Sequence, residues 1–284
     1  MKLSKIFALL LALCLISSAA CAATFTDAHG NVIELDDSLE AYAAVTLVGA
    51  DNAARQGETN LGDLWADALR WFAVSGEINT AFDEDDVKAG NDRIAVDADH
   101  VVALWNGGNL RADIAEGTFG AEALAEVLPF PNKVAVVYMT GAQLLETLEA
   151  ASQGLPYTAE TADACASLMQ VSGLTYTVDT TKAYDALEAY GDHWFTAGSV
   201  SRVRIDDVNG QPFDAEATYA VVTSNANFNG MDSSYVLKAA AEANEQSAVT
   251  TAVVRDVVFR FIASELNHQV GEAYAAPQGR LTVL

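Results

Sequence analysis

Four histidines, His29, His100, His193 and His268, are the residues best suited to hold a catalytic metal, and they are scattered along the chain. Metal-assisted hydrolysis needs grouped ligands that hold the ion or ions generating hydroxide. Asp27-Ala28-His29-Gly30 supplies one Asp and one His, too few for such a centre, and equally suits an ordinary hairpin start. Asp83-Glu84-Asp85-Asp86 is a dense acidic run, but it lacks the Gly-centred spacing of a calcium loop. Nucleophiles fare no better. There is no Gly-x-Ser-x-Gly elbow, Cys165 has no histidine that spacing would pair with it, and Gly107-Gly108 precedes neither a Walker lysine nor a dinucleotide fingerprint. The residues therefore point to no catalytic group, no metal ligand and no cofactor.

The elements that would position any binding residues read as follows. Residues 1–22 combine Lys2 and Lys5, an apolar run from Ile6 to Ile16, and the small-residue tail Ala20-Cys21-Ala22. Eleven apolar residues are too few to span a bilayer, so this is the pattern of a secretion signal and of an exported protein. Cys21 would allow membrane attachment through a lipid, against which Ser18 stands where lipoproteins carry an aliphatic residue. Removing the two signal lysines takes the net charge from −24 to −26, which argues against nucleic acid as a partner. The 51% apolar content is ample for a packed core. A short hairpin is expected within residues 23–43, and one domain over residues 44–284.

Within that domain Leu61, Leu64, Trp65, Ala68, Leu69 and Phe72 share one face of a helix over Asn60 to Val74, with Thr59 or Asn60 as its cap. His100–Trp105 and Lys133–Tyr138 read as strands around a helix at Ala121–Val127. Thr140-Gly141-Ala142-Gln143 forms a capping box for a helix to about Ser152. Strands follow at Leu168–Val178, Val200–Asp207 and Thr218–Ser224, with Asn209-Gly210 as a two-residue turn. Helices at Ser234–Ala243 and Ala248–His268 close the chain. Gly76–Ala98 reads as a solvated insertion and Tyr184–Gly198 as a second excursion. The interleaving implies an α+β fold, with mixed α/β layers in which a mixed sheet is packed with helices.

Several ordered blocks carry a resemblance. They are Arg55-Gln56-Gly57-Glu58-Thr59-Asn60-Leu61-Gly62, then Asn106-Gly107-Gly108-Asn109-Leu110-Arg111-Ala112-Asp113-Ile114 and Val127-Leu128-Pro129-Phe130-Pro131-Asn132. Thr140 to Leu145, Gln170 to Leu174 and Asn225 to Tyr235 follow. From about Ala44 to Leu284 the chain resembles the C-terminal, substrate-binding domain of the 5'-nucleotidase family, without that family's N-terminal metallophosphatase domain. The resemblance implies that Arg55 and Arg111 lie beside a substrate phosphate, whose oxygens a guanidinium fork fits. It implies that Phe130 stacks on a base, Asn106 bonds the base edge, Asp232 accepts from ribose hydroxyls, and Gly173 allows close backbone approach. The residues by themselves also permit Arg55 to pair with Glu58, Phe130 to be a core ring, and Asp232 to cap the following helix. Ala226 takes the place of the family's second stacking aromatic, which leaves Phe228 or Trp105 to supply a ring. Asn109, Pro131 and Met231 each replace a family glycine.

Three readings follow: a binding module for a nucleotide or nucleoside, a subunit that works with a separate metallophosphatase chain in nucleotide catabolism, and a structural or surface-interaction protein.

Overall fold

The computed structural model describes residues 24–26, 32–34, 40–82 and 94–284. The stretch read as a secretion signal, Cys21, His29 and the acidic run at residues 83–86 lie outside the described residues. Strands β1 (Thr24–Thr26) and β2 (Val32–Glu34) pair antiparallel as the expected hairpin. Strand β3 (Ala41–Ala43), placed by sequence in the extension, is buried in the body of the fold.

Two helices come next, α1 (Ala53–Gln56) and α2 (Asn60–Val74), and the Thr59 side chain accepts from the Gly62 amide at the start of α2. After the insertion come β4 (Val101–Asn106), β5 (Gly117–Phe119) and α3 (Ala121–Val127). Then come β6 (Lys133–Thr140) and α4 (Gly141–Ala151), whose capping box is formed by Thr140 and Gln143. The expected strand at Leu168–Val178 is two, β7 (Met169–Ser172) and β8 (Leu174–Val178). Gly173 separates them at φ +81°.

The 184–198 excursion is a two-stranded ribbon, β9 (Ala186–Ala189) and β10 (Phe195–Ala197). β11 (Val203–Val208) ends at the Asn209-Gly210 turn, both residues having positive φ. The chain continues through β12 (Thr218–Ser224), α5 (Asn225–Phe228) and α6 (Tyr235–Ala243). It closes with β13 (Ala248–Val253), α7 (Val254–Ser264), β14 (Gln269–Val270) and β15 (Leu281–Val283).

One expectation fails here. Residues 248–253 form a strand and not the first turns of a helix. Val249, Thr250 and Thr251 are β-branched, and the edge of β6 offers them a ladder, with the Thr250 hydroxyl also donating to Val134 O at 2.9 Å. The 76–98 insertion is also less solvated than its composition implies, since Ile78, Ala81 and Phe82 are buried against the core.

The centre is a mixed five-stranded sheet in the order β13-β6-β12-β4-β7, with β4 and β12 parallel. Both faces are covered, so its strands read as continuous apolar runs. Val101, Ala103 and Trp105 of β4 face one core with α2 and α7, where Trp105 packs 6.2 Å from Trp65. Val102 and Leu104 face a second core built with α4, α6 and the sheet β11-β8-β15. This is the expected layered α+β arrangement. Among the described residues no helix is long and apolar enough to cross a membrane.

Candidate ligand-binding site

Because β4 and β12 run parallel, their carboxyl ends open on one edge of the sheet, the usual place for ligands in sheets with parallel strands. Asn106 ends β4, and the Asp232 turn follows β12 through α5. β6 runs antiparallel to β12 with Ser224 opposite Val134, which brings Phe130 to the same edge. β7 runs antiparallel to β4 with Met169 opposite Asn106, which brings residues 162–167 there too.

Helix α1 is seated on this edge by close backbone packing. A Cβ on Gly107 would fall 1.9 Å from the Ala54 carbonyl oxygen. The buried Gln170 amide donates to Ala54 O at 3.1 Å and Gly57 O at 2.9 Å, and its oxygen accepts from the Thr59 amide at 3.0 Å. These contacts aim Arg55 back over the edge, where Nη1 donates to Ala162 O at 2.8 Å and lies 3.9 Å from Asp163 Oδ1. Glu58 is not its partner; that carboxylate accepts from the Gln278 and Leu281 amides.

Arg111 lies on the loop after Asn106, with its guanidinium 5.8 Å from the centroid of the Phe130 ring. Phe130 is 43% exposed, so it is not a core ring. Asp232 adopts φ +50° and Ser233 φ +64°, two consecutive left-handed residues that turn the carboxylate inward to accept from Asn106 Nδ2 at 2.8 Å. It does not cap α6, which starts at Tyr235.

The three charged groups act on one another. Burial pushes the Asp232 carboxyl up, and the Arg55 and Arg111 guanidiniums pull it back down in part. Desolvation and then the charge of Arg55 lower Arg111, while Asp232 opposes them. Two cations, one carboxylate and one exposed ring thus share a single patch that can hold an anion joined to a flat group.

Two expected residues have other tasks. Gly173 lies at the far end of β4, because Ser172 pairs with Ala103. Its positive φ breaks β7 from β8, and a Cβ there would meet Val101 O at 2.8 Å and Arg70 Nε at 2.7 Å. Asn106 is fully buried, and its Oδ1 accepts from Asn109 at 2.9 Å while its Nδ2 holds Asp232. Its side chain thus holds the Asp232 carboxylate in place, and Asn109 completes that chain. The alternative rings also fall elsewhere: Trp105 is in the core beside Trp65, and Phe228 packs on the second core.

Tyr190, which the sequence motifs do not single out, lies beside this patch. Its ring meets Tyr235 edge-on at 5.4 Å, and burial pushes its phenol up, with Ser233 and Gln153 opposing and the Asp232 charge adding to the rise. A run of aromatics within an otherwise polar excursion, Tyr184 to Phe195, was the available signal.

A cavity of about 730 Å³ opens near His100, Thr218 and Gln246, but it lies at the opposite sheet end and contains none of the expected residues. Among the described residues no group of three or more His, Cys, Asp or Glu could hold a metal ion, so the metal centre of a phosphoesterase does not fit them.

Residues 40–239 match the family model described as 5'-nucleotidase, C-terminal domain. The trifunctional nucleotide phosphoesterase protein YfkN of Bacillus subtilis (strain 168) is 29% identical over 188 residues, which are 65% of this chain and 10% of that protein. The structure of the 5'-nucleotidase precursor from Thermus thermophilus superimposes with a TM-score of 0.61 at 30% identity, covering 86% of this chain and 39% of that one. The Haemophilus influenzae NAD nucleotidase shares the fold at 15% identity, with a TM-score of 0.55 over 92% of this chain and 48% of its own. The chain therefore spans less than half the length of each of these relatives. With the ordered sequence blocks, the fold and a match over residues 40–239 in agreement, the chain belongs to the 5'-nucleotidase family through its C-terminal domain.

Proposed function

We propose that this chain is an exported module that binds a nucleotide or nucleoside at the edge formed by β4 and β12. The observation that carries this reading is the mutual electrostatic reach of Arg55, Arg111 and Asp232 beside an exposed Phe130. In this reading the guanidiniums take the phosphate, the Phe130 ring takes the base, and Asp232 takes the sugar hydroxyls. The net charge of −26 left after removal of Lys2 and Lys5 repels anions at long range, so the two arginines act locally, within a Debye length of ~10 Å.

Calorimetric titration with AMP, adenosine and a UDP-sugar tests it. Arg111→Ala should weaken AMP about tenfold to a hundredfold, the worth of a charge-assisted contact, and change adenosine much less. A folded sample that gives no heat with any of the three ligands overturns the reading.

A second reading, hydrolysis shared with a separate metallophosphatase chain, draws on the names of the relatives and on the poor fit of the described residues to a metal. It requires phosphate release from AMP only when such a chain and a divalent metal are added. A binding site without enzymatic work would instead leave AMP intact in that mixture.

A further inference from the structure

The β9–β10 ribbon is a two-stranded sheet joined to no other. Such a pair is marginal alone, so its position depends on what holds it. Its root is well fixed. The Phe195 amide donates to Gln153 Oε1 at 3.0 Å, the Ala197 amide to the Tyr235 hydroxyl at 3.0 Å, and the Tyr184 hydroxyl to Phe195 O at 2.8 Å. The Tyr235 hydroxyl in turn donates to Glu146 at 2.7 Å.

The tip, residues 190–194, is held differently. The Tyr190 ring meets Tyr235 edge-on at 5.4 Å, and the Ser233 hydroxyl, one residue after Asp232, is near enough to oppose the rise that burial gives the Tyr190 phenol. Gln153 Nε2 donates to the same Ser233 hydroxyl. Three residues on, His193 Nε2 lies 3.6 Å from Asp163 Oδ2, and Asp163 also faces Arg55. The tip therefore touches the Asp232 turn at one point and the acidic partner of Arg55 at another, and so borders the site from the sugar end to the phosphate end.

That second contact is weak. His193 and Asp163 side chains are 51% and 71% exposed, and a pair so open to water contributes little. The Trp194 indole N–H is shielded from solvent with no acceptor in reach, a donor left unsatisfied in this arrangement. A firmly rooted arm with a loosely tied tip can close on a ligand or release it at low cost.

We propose that the ribbon tip is a clasp over the ligand site, and that Tyr190 is its contact residue, closing on the sugar ring of a nucleoside or nucleotide held by Asp232. An anion that takes Arg55 away from Asp163 would leave Asp163 to His193, so that ligand binding and clasp closure favour one another. The proposal rests on the nucleotide-binding reading above.

The test uses the full chain and titrates AMP and adenosine by calorimetry and by tryptophan fluorescence. Tyr190→Ala should weaken both ligands about tenfold with little change in melting temperature, because Tyr190 belongs to neither buried core. Tyr190→Phe, which keeps the ring but not the hydroxyl, should recover part of that loss. AMP should also change the emission of wild-type protein, and Trp194→Phe should remove most of the change while leaving the affinity within about twofold. If wild type binds AMP and Tyr190→Ala binds it equally well, the clasp is wrong and the binding site stands. An emission change that persists in full in Trp194→Phe also counts against the clasp. If wild type binds neither ligand, both the clasp and the binding reading fall.

Discussion

Gly107→Ala should lose about 1–3 kcal/mol of stability, the usual range for overpacking, and should weaken AMP binding in the same sample. The methyl group would land 1.9 Å from the Ala54 carbonyl oxygen, which is backbone and has no side chain to swing aside. Neither party is free to yield. The Gly107 amide is tied to Leu168 O at 2.7 Å, and Ala54 O is held by Gln170. If α1 moves, Arg55 moves with it; if the end of β4 moves, Asn106 and the Asp232 carboxylate shift. Urea midpoints and calorimetric titration read the two effects side by side. Gly271→Ala, where nothing lies within 4 Å of the new Cβ, is the comparator and should leave both unchanged. A Gly107→Ala protein with wild-type midpoint and affinity would contradict the tight seating of α1.

The second large effect is a dependence of stability on pH centred on Asp63. This side chain is fully buried, and its Oδ1 has no hydrogen-bond partner. Burial first, and then the neighbouring Glu58 carboxylate, push it up to about 8, against the pull of Arg280 and the Gln278 amide. Glu58 and Asp63 both accept from Gln278 N, at 2.8 and 3.1 Å, so the two acids face each other across one donor.

The folded chain thus keeps a proton that the unfolded chain gives up near the ordinary aspartate value of 3.8. This contribution to stability is complete below about pH 4 and is lost as pH rises through about 8. In that window the slope is at most about 1.4 kcal/mol per pH unit, the value for one proton. The raised Asp232 adds a contribution of the same sign, so the decisive comparison is with Asp63→Asn. An amide cannot ionise, and the unfolding free energy of that variant should fall much less between pH 5 and pH 8, on the order of a few kcal/mol less. Equal slopes in the two proteins would mean that Asp63 is already ionised at pH 5.

Local signals are the ones that sequence conveys best. The stripe of α2 and the capping box of α4 appear where the spacing puts them, because each depends on residues three or four apart. The Asn209-Gly210 turn is equally local. Residues 248–253 read as helix because an Ala- and Val-rich stretch runs without a break into the amphipathic α7, and only the free edge of β6, over a hundred positions earlier, makes it a strand.

The site follows the same rule. Arg55, Arg111, Phe130 and Asp232 are legible as motif residues, and the fold does bring them to one sheet end. What the motifs cannot convey is who holds whom. Arg55 rests on residues 162 and 163, and Asp232 on Asn106, partners 107 and 126 positions away in sequence. Motif alone assigns Asn106 and Gly173 to ligand contact, and it conveys neither the burial of Asn106 nor the place of Gly173 at the other end of β4. The Tyr190 contact joins the 184–198 excursion to the start of α6, two segments that share no pattern.

Helix α1 is a single turn of four residues, far below the length at which a helix holds its own shape in water. Arg55 therefore owes its direction wholly to neighbours, chiefly Gly107 and Gln170. On warming, that turn should fray while the central sheet is still intact, and on the proposed nucleotide-binding reading AMP affinity should disappear before the protein melts. Affinity measured against temperature would then vanish ahead of the far-ultraviolet ellipticity, leaving an interval in which the molecule is folded but blind to its ligand.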